Sequence, residues 1–208
     1  MPQEIICYSQ AKQDILFSLL FPGKHSFFVD VGARDGVVIS NTYILEKDYG
    51  WGGICIEPHP KLFKMLEKNR QSKCLNVAIA DVDECGETLE FAMWKEGPVG
   101  HSGILGIDYR HIDKLKNYDH EIIKVKCFPL KKILRDKGIR RVDVLDIDVE
   151  GAESSVLRSI DFTECHFNLI SIEMSNSEIE EILAANSFRF LCKLGEDSVY
   201  RNDTQIPP

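Results

Sequence analysis

A chain of 208 residues, 44% of them hydrophobic, is long enough for one α/β domain with a full core. Its formal charge of −8 and pI near 5.3 argue against a nucleic-acid surface, and Lys124, Lys126, Lys131 and Lys132 read as a solvated strand and helix face. No apolar run reaches the ~18 residues of a membrane span, and the N-terminus lacks a signal peptide's basic region and apolar core. Seven cysteines without a C-x-x-C pair point to reduced, structural thiols and so to a cytoplasmic setting.

In chain order, residues 1–25 read as a helical lead-in. Ser9 to Leu20 forms its helix, with Ile15, Leu16, Leu19 and Leu20 on one face and Pro22-Gly23 as the stop. Ser26 to Val31 is a strand, Ser40 to Tyr49 a helix, and Gly53 to Ile56 a second strand ending at Glu57. Pro60 to Asn69 is the next helix, with Pro60 suited to its first turn. Cys74 to Ile79 reads as a third strand, and Glu87 to Trp94 alternates as an additional one. Residues 95–119, with Gly97, Pro98, Gly100, Gly103 and Gly106, break the pattern and read as an acceptor lid or insert. Strands at Glu121 to Phe128, Val142 to Val149 and Asn168 to Met174 then alternate with helices at Pro129 to Lys137, Ala152 to Ile160 and Ser177 to Asn186. A hairpin of Phe188 to Leu194 and Ser198 to Arg201 closes the chain. The alternation predicts an α/β fold over 1–208: a mostly parallel sheet, helices on both faces, and an antiparallel hairpin at its end.

The turn after the first strand selects the ligand. A dinucleotide site needs G-x-G-x-x-G, whose amides receive a pyrophosphate. Here Gly32 and Gly36 are spaced G-x-x-x-G, and Asp30 and Asp35 place carboxylates where a pyrophosphate would lie. Like charges repel there, so a nicotinamide-dependent dehydrogenase is disfavoured and a cationic ligand favoured. S-adenosyl-L-methionine carries an ammonium and a sulfonium beside its adenosine, and Glu57 is placed to accept its ribose hydroxyls. In the run Val142 to Gly151, alternate side chains put Asp146, Asp148 and Glu150 on one face. Asp143 and Asp146 read as solvated-edge or capping residues, whereas Asp148-Val149-Glu150-Gly151 at the strand tip reads as part of a site.

The stretches VDVGARDGVVISNTYILEKDYGWGGICIEPHPKLFKMLEKNR and VDVLDIDVEGAESSVL resemble the FkbM-type S-adenosylmethionine-dependent methyltransferases. The opening YSQAKQD and the later IEMSN are similar as well, so the resemblance spans nearly the whole chain outside 95–119. It implies a Rossmann-like class I methyltransferase fold with a seven-stranded sheet, and O-methylation, often of sugar or polyketide-like hydroxyls. Carried onto this chain, it implies that Asp30, Gly32, Asp35 and Gly36 line the methionine end of the cofactor and that Glu57 holds the ribose. Asn76 to Ala78 would edge the adenine, and Gln10 would reach the methionine moiety. Ser40-Asn41-Thr42 either touches the cofactor or caps a helix.

Transfer to a hydroxyl needs in-line approach, removal of a proton and exclusion of water. Asp148 is the first candidate to orient or deprotonate the acceptor, although an ordinary carboxyl, with pKa of about 4, is a weak base for an alcohol. Burial or a metal would have to help. Asp148 with Glu173 and Asn176 would make an oxygen-rich divalent site suited to magnesium or calcium. His101, in the lid, is the rival base, against a plain surface role. His59 reads as packing near the ribose or facing solvent, and His111, His120 and His166 show no ligand spacing. Trp94, Tyr109 and Tyr118 either stack on a sugar ring or simply pack. The expected acceptor is a carbohydrate or glycoconjugate hydroxyl. The alternatives are a non-sugar hydroxyl compound and a non-catalytic interaction module, and the oligomeric state stays open, a homodimer included.

Overall fold

The computed structural model describes residues 6–22, 25–95, 101–107 and 110–204. The elements of the first half are α1 (Gln13–Leu20), β1 (Phe27–Val31), α2 (Tyr43–Lys47), β2 (Gly52–Ile56), α3 (Pro60–Asn69), β3 (Lys73–Leu75), β4 (Ala78–Ile79) and β5 (Glu87–Trp94). There follow β6 (Gly103–Ile104), a 3-10 helix (Ile112–Asn117), β7 (His120–Phe128), α4 (Leu130–Asp136) and β8 (Arg141–Ile147). The chain ends with α5 (Glu153–Arg158), β9 (His166–Glu173), α6 (Ser177–Ala185), β10 (Phe188–Leu194) and β11 (Asp197–Asn202). Among the described residues no helix is long and apolar enough to cross a membrane.

Seven strands form one sheet in the order β10-β11-β9-β8-β1-β2-β3. The run from β9 to β3 is parallel, and the β10–β11 hairpin adds antiparallel to β9. This is the mostly parallel seven-stranded sheet with a closing antiparallel hairpin expected from the sequence. The period of two sorts each strand's side chains to opposite faces. Val29, Val31, Ile54, Ile56, Leu145, Ile147, Ile170 and Ile172 pack against Leu130 and Leu134 of α4, Val156 and Leu157 of α5, and Ile179 and Leu183 of α6. Phe28, Cys55, Val144 and Leu169 face the other way, against Phe17 of α1, Ile44 and Leu45 of α2, and Leu66 of α3.

Three sequence expectations change. Asp143 and Asp146 are buried rather than on a solvated edge. Asp143 accepts the Phe27 backbone N–H at 2.9 Å and Asn168 Nδ2 at 2.7 Å, while Asp146 accepts Asn41 Nδ2 at 3.0 and 3.2 Å. Second, Cys74 to Ile79 is two strands in two sheets. Asn76 Nδ2 donates to the carbonyls of Glu57 at 2.8 Å and Pro58 at 3.1 Å, and the chain turns out of the first sheet there. β4 then opens a four-stranded sheet, β4-β7-β5-β6, with its own core of Ala78, Phe91, Met93, Ile104, Val125 and Cys127. Third, α1 starts at Gln13, not Ser9. The Asp14 carboxylate gathers the N–H groups of Tyr8 and Ser9, at 2.7 and 3.2 Å, and the Ser9 hydroxyl at 2.6 Å, and Lys12 turns at φ 68°.

Candidate functional site

β1, β2 and β8 end side by side, and backbone bonds pin their tips together. Gly32 N–H and Ala33 N–H both donate to the Ile56 carbonyl, at 2.9 and 3.0 Å, and Asp148 N–H donates to the Val31 carbonyl at 3.0 Å. Gly32 sits at φ +100°, and a Cβ there would lie 1.8 Å from the Asp148 carbonyl oxygen, so no larger residue fits. A cleft opens beyond this edge. Gln10, Gly32, Glu57, Ala78, His101, Asp148, Glu150 and Glu173 line it, and Phe91 and Ile104 of the second sheet form its far wall.

Glu57 is held from two sides, by the Arg34 N–H on one oxygen at 2.9 Å and the His59 N–H on the other at 2.7 Å. Burial nevertheless pushes its pKa up to about 7. His59 itself neither faces solvent nor lines the cleft. It is buried at the N-terminus of α3, where Nδ1 accepts Lys61 N–H at 3.2 Å and Leu62 N–H at 3.5 Å.

Asp30, Asp35, Gly36, Ser40 and Asn76 do not line the cleft; they support its floor. Asp30 is buried, accepts the Thr42 hydroxyl at 2.5 Å, and has its pKa raised by burial, against the pull of the nearby Arg70 guanidinium. Asp35 caps the glycine turn, accepting the N–H groups of Val37 and Val38 at 3.0 and 2.9 Å. Gly36 gives its carbonyl to Arg70 Nη1 at 3.2 Å. Ser40 Oγ accepts Thr42 N–H and Tyr43 N–H at 3.2 and 3.1 Å, which ties the turn leading into α2, whose N-cap is Thr42.

The opposite end of the cleft is acidic. Burial, then Glu173 and Glu150, push the Asp148 carboxyl well above the usual range. Glu150, at φ 60°, is raised to about 7 chiefly by burial, then by Glu173. Arg110 crosses this cluster: Nη1 bonds Glu173 closely and lies 3.5 Å from Glu150, Nη2 bonds Glu153 at 3.0 Å, and its backbone N–H donates to the Glu150 carbonyl at 3.0 Å. Asn176 is not brought to this cluster. Its Oδ1 accepts the Ile179 N–H at 3.0 Å and caps α6, so the expected trio of Asp148, Glu173 and Asn176 does not assemble. Glu150 takes the third place, with one oxygen from each of Asp148, Glu150 and Glu173 within 4.8 Å of the others.

His101 does reach the cleft, but not alone. Its ring stacks on His111, centroids 4.1 Å apart and planes 22° from parallel, and His111 Nε2 lies 2.9 Å from Glu150 Oε2. Burial lowers both imidazole pKa values, that of His111 to about 4. Trp94 is fully buried and stacks on Tyr118 at 4.7 Å, which is packing rather than an open sugar platform. His120 bonds the Tyr118 carbonyl and His166 the Asn168 side chain. Tyr109, Gly97, Pro98 and Gly100 lie outside the described residues. Sequence spacing missed His111, Arg110 and Arg70. The one available signal was the excess of strand carboxylates, which demands buried partners.

The site thus offers a held carboxylate at one end, a glycine floor, and at the other a carboxyl of raised pKa with the His101 imidazole, itself stacked on His111. Among curated proteins, "Methyltransferase 1" of Beauveria bassiana (strain ARSEF 2860) is 29% identical over 173 residues. That match covers 74% of this chain and 66% of the relative's length. A solved methyltransferase FkbM from Methylobacillus flagellatus KT superposes with a TM-score of 0.49 at 13% identity, over 86% of this chain and 44% of that one. A TehB-like SAM-dependent methyltransferase from Corynebacterium glutamicum ATCC 13032 Kitasato gives 0.46 at 9% identity, over 94% and 89%. The sequence profile described as Methyltransferase FkbM domain matches residues 30–200, from the tip of β1 onward, and the chain belongs to that family.

Proposed function

We propose that this chain is an S-adenosylmethionine-dependent O-methyltransferase acting on a carbohydrate or glycoconjugate hydroxyl. One observation carries the reading: Gly32, Glu57 and Asp148, from three adjacent parallel strands, line the same cleft. Glu57 is fixed by two backbone N–H groups and keeps lone pairs for the ribose hydroxyls. Gly32 lets the methionine portion approach the backbone closely. Gln10 flanks that portion, and Val77 and Ala78 edge the adenine.

Asp148 supplies the proton chemistry. Burial and its acidic neighbours favour the neutral carboxyl, and a sulfonium beside it favours the carboxylate. The carboxylate orients the acceptor O–H and takes its proton as the methyl group leaves sulfur for oxygen, and the donor departs as the neutral thioether S-adenosylhomocysteine. Holding both reactants in line supplies roughly 7–11 kcal/mol of the barrier. The polar rim of His101, Glu150 and Glu173 suits a polyol better than an apolar acceptor. Segment 95–119 contributes His101 to that rim and acts as the acceptor lid.

Calorimetry with S-adenosylmethionine is the test. Saturable binding that weakens about tenfold or more in Glu57→Ala is expected, from the loss of a carboxylate hydrogen-bonded to the ribose. Labelled methyl transfer to candidate glycans should vanish in Asp148→Asn while donor binding survives. Absence of any donor binding would sink the proposal.

A further inference from the structure

We propose that His101, His111 and Glu150 form a binding site for a first-row transition-metal dication of the manganese-to-zinc range. The site goes beyond methyl transfer and does not depend on the donor. The insert and the tip of β8 build it together: His101 precedes β6, His111 opens the 3-10 helix, and Glu150 follows β8. One ligand atom from each lies within 4.8 Å of the other two. His111 Nε2 and Glu150 Oε2 are 2.9 Å apart, close to the spacing of neighbouring ligands on a metal with bonds of about 2.1 Å. Two imidazoles and a carboxylate are the donor set that zinc, iron, cobalt and manganese take, unlike calcium or magnesium.

The ligands are also oriented in advance. Trp94 is fully buried and presses its edge on both imidazoles, at 5.5 Å from His101 and 6.0 Å from His111. Tyr118 backs Trp94 from the other side. Glu150 is held in a left-handed backbone conformation whose carbonyl is tied to the Arg110 N–H, an arrangement that costs conformational energy and aims the side chain at the imidazoles. His101 and Glu150 line the cleft, which gives an ion its path of entry and leaves coordination positions facing the acceptor space. The all-oxygen set of Asp148, Glu150 and Glu173 shares Glu150, but the Arg110 guanidinium bonds Glu173 closely and lies 3.5 Å from Glu150 Oε2, the oxygen that faces His111. Glu173, the carboxylate Arg110 holds most closely, is the one the imidazole set leaves out, so that set carries the site.

The test is a titration of the full, EDTA-stripped chain with cobalt(II) alone, without methyl donor, followed by its visible d–d absorption. Uptake of one equivalent, displaced by zinc, is expected. His101→Gln, a change at a partly exposed ring, should weaken uptake by about 100-fold or more, as should Glu150→Gln. His111→Asn should do the same, with a thermal melt to establish that the variant is folded. Asp148→Asn should leave stoichiometry and spectrum in place. Absence of uptake would overturn the proposal, as would uptake indifferent to His101→Gln in folded protein, or uptake lost in Asp148→Asn alone. Donor calorimetry reads separately, so failure here leaves the methyl-transfer reading where it stood.

Discussion

The two faces of the seven-stranded sheet solve different problems with the same strands. Toward α4, α5 and α6 the face is hydrocarbon, with Val29, Leu145 and Ile170 in register across β1, β8 and β9. Toward α1 and α2 the next residues along are Asp30, Asp146 and Ser171, again in register and again buried. The polar row survives because each carboxylate is answered: Asp30 by Thr42, Asp146 by Asn41, and Asp197 beside them by Gln13 at 2.8 Å. Arg70 closes the network, reaching Glu46 at 3.2 Å and Thr42 at 3.1 Å while lying over the Phe28 ring. An apolar face tolerates any shape-filling solution, whereas a hydrogen-bonded face accepts one arrangement. The glycine turn and the lead-in helix lie on the face that accepts one.

That contrast can be broken by experiment. Arg70→Ala should be the costliest change, about 3–5 kcal/mol in urea unfolding, because it strands Asp30 and Glu46 together. Leu145→Ala on the opposite face should cost less than this in the same assay, toward the lower end of the ~2–5 kcal/mol range of core truncations. A reversed order would mean that the polar face is incidental. The smallest effect at neutral pH should come from Asp146→Asn, within about 1 kcal/mol of the parent. Burial, then Asp30 and Asp197, hold the Asp146 carboxyl well above its usual 3.8, which favours its neutral form in the folded state. The folded state then binds this proton more tightly than the unfolded one. Its stabilisation is full below the unfolded pKa and is lost as pH rises toward the folded value, with a slope of up to about 1.4 kcal/mol per pH unit. Asp146→Asn should remove one proton's worth of that slope, and an unchanged slope would assign it to another carboxyl.

Much of this architecture is legible in the chain because it is local. Strand–turn–helix punctuation around Gly32 and Pro60, together with period-two alternation, marks the long sheet and its closing hairpin. The second sheet is not legible. Cys74 to Ile79 alternates as a single strand, and only a side-chain bond from Asn76 to a loop 18 and 19 residues away divides it. Glu57 and Asp148 stand out as carboxylates ending apolar strands. Asn41, Arg70, Arg110 and His111 do not, because a polar residue on a short helix or insert looks like any surface residue until the fold turns it inward. Asn176 misleads for the opposite reason: its place after β9 suggests a ligand, and a helix start claims it first.

The division at Asn76 has a mechanical consequence. Between β3 and β4 the chain spends only Asn76 and Val77, a link that reaches about 7 Å at full extension. On the far side, Arg110 latches the insert to Glu150 after β8, Glu153 at the start of α5 and Glu173 at the end of β9. The wall of the cleft is thus anchored like a panel, with two short covalent links on one edge, Asn76-Val77 before β4 and Pro129 after β7, and an ionic catch on the other.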